Sequence, residues 1–86
     1  MPEISRFLGM VIAMFYNDHA PPHFHVRYGE YKAAVGIDPA VLLEGSLPPR
    51  ALGLVVEWAT LHRADLLADW EPARKRQPLL AVAPLE

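Results

Sequence analysis

The spacing of apolar and polar positions changes once along this chain, near residue 46. Before that point apolar residues come in short runs bounded by turn residues, and after it they recur at helical period. The run "LGMVIAMFYND" is apolar at both parities and rich in β-branched and aromatic side chains. It predicts a central strand from about Leu8 to Tyr16, covered on both faces and ended by Asn17 and Asp18.

"HAPPHFHVRYGEYKAAVGIDP" then sets two runs around Gly29 and Glu30, a two-residue connection with glycine first that fits a type II′ hairpin turn. That turn pairs Tyr28 with Tyr31, Arg27 with Lys32, Val26 with Ala33, His25 with Ala34 and Phe24 with Val35. Opposed residues share a face of a sheet. One face then carries Phe24, Val26, Tyr28, Tyr31, Ala33, Val35 and Ile37, and is the core face. The other carries His23, His25, Arg27, Lys32, Ala34 and Gly36. It is basic, lies outside the core, and is lined on the partner strand by side chains small enough for a flat ligand or another chain to come close. Pro21 and Pro22 cannot donate to a ladder and stiffen the approach to this strand.

Asp38 and Pro39 predict a turn before a short strand around Val41 to Glu44. From residue 46 to 77 the period is helical: proline follows Leu47 at the first turn, and Ala51, Leu54, Val55, Trp58 and Leu61 form one stripe that resumes with Leu66, Leu67 and Trp70. Pro72 predicts a break or kink, with another near His62. "PLLAVAPLE", bounded by Pro78 and Pro84, reads as an extended edge segment against the sheet or a partner. The whole is a single α+β domain over 1–86: 1–45 mainly β, 46–77 helical, 78–86 extended. The expected fold is a small, mostly antiparallel sheet of three to five strands around a central hairpin. It packs on two C-terminal helices or one bent helix, with a final short edge strand.

Composition narrows the chemistry. With 86 residues, 52% of them hydrophobic, there is room for one core. No cysteine is present, so a metal would need His, Asp or Glu ligands. Leu8 to Tyr16, the longest uncharged apolar run, is far short of the roughly 20 residues that span a bilayer, and "MPEISRF" lacks a basic leader, so a cytoplasmic location is expected. A net charge of −2 offers no global attraction for phosphate, and nucleic-acid binding would need a local basic patch. The Arg74, Lys75, Arg76 cluster reads first as a solvated helix end.

Chemistry concentrates in "DHAPPHFHVRYGE", residues 18–30, which holds three of the four histidines. Three readings stand. In a metal-free nuclease-like site, His23 and His25 exchange protons, Arg27 or Lys32 holds a phosphate, and Asp18 fixes a tautomer while His19 approaches from the loop. Arg6 and Tyr16 are further binding candidates. In a metal site, His23 and His25 point to one side and His19 or Asp18 adds a third ligand; no cofactor is required by the sequence, but a divalent metal is compatible. In the third reading the same face binds a partner protein, RNA or DNA without catalysis. His62 is read as capping or packing near the helix bend, and Glu57 and Arg63 as a solvated or paired helix face.

The pattern "MPEISRF.GM.I.M...DH.PPHFH..YGEYKA" followed by "LPPRAL.LV.EW...HR..LL..WE.A" resembles the small bacterial family called domain of unknown function 4160, from Pro2 to Ala73. Pro72 departs from the helix-compatible residue of relatives. The resemblance implies a neighbouring gene for a small cognate protein of the domain-of-unknown-function 2442 type, in pairs resembling toxin-antitoxin operons. The expectation is a toxin-like member acting on RNA through the His-rich hairpin. The alternative is a non-catalytic protein- or DNA-binding regulatory module, and a homodimer is compatible with either.

Overall fold

The computed structural model describes residues 3–16 and 18–85. Asn17, read above as a turn residue, lies outside them. An antiparallel sheet runs in chain order through β1 (Glu3–Phe7), β2 (Met10–Ala13), β3 (His23–Tyr28), β4 (Tyr31–Gly36) and β5 (Leu42–Gly45). Two helices follow, α1 (Pro49–Leu61) and α2 (Arg63–Arg74), giving the α+β architecture that the change of period implies.

The strand expected over residues 8–16 is divided. Leu8 and Gly9 take positive φ values of 50° and 80° and form the tight turn that joins β1 to β2. Leu8 at the turn tip carries no polar signal, and Gly9 was the one turn residue inside the run that marked it. β2 then pairs with β1 on one side and β3 on the other, and Met10 and Ile12 are fully buried.

The β3–β4 hairpin has the register that the glycine-first turn dictates, from Tyr28 opposite Tyr31 to Phe24 opposite Val35, and it continues to His23 opposite Gly36. Gly29 supplies the positive φ, 59°, that the first turn position needs. Phe24, Val26, Ala33, Val35 and Ile37 are buried as the core-face assignment requires. Tyr31 is exposed and Tyr28 half-buried.

Proline starts α1, where its missing N–H breaks no helical bond, and Trp58 anchors the helix on the sheet. The Trp58 ring lies 5.3 Å from Phe7 and meets Phe24 edge-on at 5.5 Å. Burying such side chains contributes about 1.5–3 kcal/mol each. The helices part at His62, which leaves helical geometry with φ −112° and ψ 25°. Leu61, at the end of α1, and Leu67, both assigned to the apolar stripe by period, are exposed, while Ala59, Leu66, Trp70 and Ala73 are buried. Pro72 does not end the helix as expected. It falls in the last turn of α2, which runs on to Arg74.

After α2 the chain lies beside β1, and Val82 N–H donates to Ile4 O at 2.7 Å. Trp58 Nε1–H donates to Ala83 O at 2.8 Å, and Leu80 N–H to Asp69 Oδ1 at 2.9 Å. These bonds seat the extended tail on both layers. No helix among the described residues is long and apolar enough to cross a membrane.

Candidate functional site

The site is built where the loop after β2 meets the first residues of β3. Alternation along β3 sends His23 and His25 to the face away from Phe24 and Val26. The preceding loop brings Asp18 back over that face, and the two rings meet it. His23 Nε2 and His25 Nε2 each lie 2.9 Å from Asp18 Oδ2. The other carboxylate oxygen, Oδ1, accepts the backbone N–H of His19 at 2.9 Å and lies 3.0 Å from His19 Nδ1. The sequence-predicted Asp18, His19, His23 and His25 therefore form one cluster.

Their exposures differ in a way that periodicity did not show. His23, expected on an open face, is 4% exposed. Trp70 of α2 packs against its ring at a centroid distance of 5.3 Å, and its Nδ1–H donates to Pro21 O at 2.7 Å. Both of its ring nitrogens are thus engaged within the protein. His25 is half-buried, with its ring stacked on Phe15 at 3.8 Å and an interplanar angle of 11°. His19 is exposed.

Burial works against a charge on Asp18. The hydrogen bond from His25, the His19 backbone N–H and the charge and hydrogen bond of His23 outweigh it, holding the carboxyl at about 2, below its usual 3.8. Asp18 is a firm anion at neutral pH.

Beside the cluster, the sheet face opposite the helices forms a cleft of about 440 Å³. His25, Arg27, Lys32 and Glu44 line it with Phe15, and its floor is made of the small residues Ala13, Ala34 and Gly45. Arg27 and Lys32 face one another across the hairpin and are both exposed. Arg6 lies in the same row through Val11, but is tied to Glu3 by two hydrogen bonds of 2.8 and 3.0 Å and does not line the cleft. Tyr16 is exposed and also outside it. The structure thus joins His25, Arg27 and Lys32 in one cleft, places His23 and Asp18 behind them, and leaves Arg6 and Tyr16 apart.

Two participants were missed in the sequence. Phe15 was assigned only to a strand, although it shares the parity of Val11 and Ala13, the residues opposite Arg27 and His25. Trp70 was read as core, and nothing local to it signals His23. Elsewhere, His62 sits at the helix junction as expected, its Nδ1 3.6 Å from Asp65 Oδ2. Arg63 pairs on the surface with Asp38 at 3.7 Å, and Arg74 to Arg76 are an exposed helix end.

These features define an α+β meander with an Asp-His-His cluster opening onto a basic cleft. The chain belongs to the family described as Domain of unknown function (DUF4160), whose model matches residues 9–71 and so takes in the cluster, the cleft and most of both helices. Neither a curated protein nor a solved structure matches the chain.

Proposed function

We propose that the protein acts on RNA as the toxin-like member of a two-gene module, receiving a single strand in the cleft on the open sheet face. The observation that carries this reading is the double position of His25, bonded to Asp18 and lining the cleft with Arg27 and Lys32. Two cations suit a phosphodiester, and the Phe15–His25 stack offers an aromatic platform of the kind on which unpaired bases stack. The alanine and glycine floor lets a flat base approach the sheet. Glu44, also lining the cleft, repels phosphate and so favours a strand held at the Arg27 and Lys32 side.

The geometry also selects among the histidines. A relay in which His23 and His25 both touch substrate needs two accessible imidazoles, and His23 is buried with both nitrogens engaged. His25 is the histidine that meets the strand. Inducing the chain without its neighbouring gene product should arrest growth and deplete intact RNA. A folded Arg27→Glu, Lys32→Glu variant should do neither, and equal toxicity of that variant sinks the reading.

A second reading, a non-catalytic regulatory module that docks the cognate protein or DNA, draws support from β5. This edge strand and the residue before it expose Val41, Leu42 and Leu43 beside the same cleft. A stable complex with the neighbouring gene product, formed without any loss of RNA on induction, would favour it.

A further inference from the structure

We propose that Asp18, His23 and His25 form a divalent transition-metal centre of the zinc type, with His19 outside the ligand set. The three side chains offer one ligand atom each, all within 4.8 Å of one another. Two imidazoles and one carboxylate are a donor set that holds such ions while leaving coordination positions open.

The inventory of hydrogens argues for a positive centre here. A carbonyl oxygen only accepts, so the 2.7 Å contact with Pro21 O places a hydrogen on His23 Nδ1. The other nitrogen, Nε2, faces Asp18 Oδ2, itself only an acceptor, at 2.9 Å, so the gap is bridged either by a second ring N–H of an imidazolium or by a cation bound to the Nε2 lone pair. A second nitrogen, His25 Nε2, converges on the same oxygen at 2.9 Å. This convergence on one carboxylate oxygen calls for positive charge, which ring protons supply in the metal-free chain and a bound ion supplies in their place. One metal ion can take all three atoms at once, and tetrahedral zinc asks for ligand atoms roughly 3.3 Å apart, a small expansion of the two 2.9 Å contacts to Asp18 Oδ2.

The surroundings match what metal ligands require. A ligating histidine usually donates its second ring N–H to a carbonyl or carboxylate, fixing the tautomer, and His23 does so to Pro21. The His19 backbone N–H holds Asp18 Oδ1 and thereby aims Oδ2 at the two rings. Trp70 and Phe15 fix the planes of His23 and His25 by packing. His25 belongs to both cluster and cleft, so the ion would stand beside the phosphate of a strand bound there. The inference rests on the RNA reading only for what the ion is used for; the ligand set stands without it.

The test uses the untagged chain, stripped of metal and dialysed against zinc or cobalt ions alone. One ion per chain is expected, with visible cobalt absorption. Affinity should fall at least tenfold in Asp18→Ala and in His25→Ala, the less buried histidine ligand, and stay within a few-fold of the parent in His19→Ala. Circular dichroism should show each variant folded. No stoichiometric ion, or equal affinity in a folded Asp18→Ala variant, overturns the centre. The Arg27→Glu, Lys32→Glu variant separates the two proposals. It should keep its metal and lose RNA, whereas RNA binding by a parent chain that takes no metal sinks the centre alone.

Discussion

His23 Nε2 stands 2.9 Å from Asp18 Oδ2, joining a buried ring at the start of β3 to a carboxylate five residues earlier in a proline-rich loop. That contact closes the corner on which the rest of the face depends. It fixes the loop over the sheet, brings the same oxygen to His25, and leaves His25 at the edge of the cleft.

The corner has a pH signature. The Asp18 carboxyl is held at about 2 against an ordinary 3.8, so its folded pKa is lowered. The stability it contributes is complete above the unfolded pKa and is lost as pH falls through about 2. Asp18→Asn should cost about 1.5–3 kcal/mol at neutral pH, the range for hydrogen bonds to a charged group. Urea titration of the metal-free chain at a series of pH values should show the difference shrink toward pH 2.

Asp69 has the opposite sign. Burial, reinforced by Asp65, raises its pKa against the lowering effect of the Leu80 N–H, and Oδ2 has no hydrogen-bond partner among the described residues. A raised folded pKa gives stability that is present at low pH and lost as pH rises through it. Asp69→Asn keeps an oxygen for Leu80 and removes the buried charge, so it should raise the melting temperature at pH 7. The gain over the parent should narrow as pH falls toward the ordinary carboxylate range.

The two hairpin glycines separate backbone strain from crowding. A Cβ at Gly29, φ 59°, meets nothing within 4 Å, so Gly29→Ala should cost about 1–2 kcal/mol, the left-handed penalty alone. At Gly45, φ 77°, the new atom would clash with Lys32 O on the adjacent strand. Gly45→Ala should cost clearly more and loosen β5. Amide exchange along Leu42–Gly45 should speed up in this variant and remain unchanged in Gly29→Ala.

Removing the aromatic platform should weaken strand binding without unfolding the sheet. Phe15 is half-buried and stacks on His25 rather than filling the core. Phe15→Ala should reduce affinity for a single-stranded RNA oligonucleotide by about 1–3 kcal/mol, the usual value of one base-aromatic stack. Fluorescence anisotropy at fixed salt measures it.

Much of this arrangement could be read in the sequence because the code for a hairpin is local. Gly29 and Glu30 determine the register, the register determines the faces, and the faces put His25, Arg27 and Lys32 together. Other features depended on distant partners or on a silent turn. His23 is buried because Trp70, 47 positions later in the chain, covers it. The Leu8–Gly9 turn has no polar residue and only Gly9 to mark it, and β2 was merged with its surroundings. Pro72 was read as a break or kink, but it falls within two residues of the end of α2 and the helix runs through it to Arg74.

The RNA reading is tested most directly by following backbone amide resonances as a single-stranded RNA oligonucleotide is added. Shifts should concentrate at Val11, Phe15, His25, Arg27 and Lys32, around the cleft, and leave the end of α2 unmoved. Shifts confined to Arg74, Lys75 and Arg76, or none at all at saturating oligonucleotide, would contradict it.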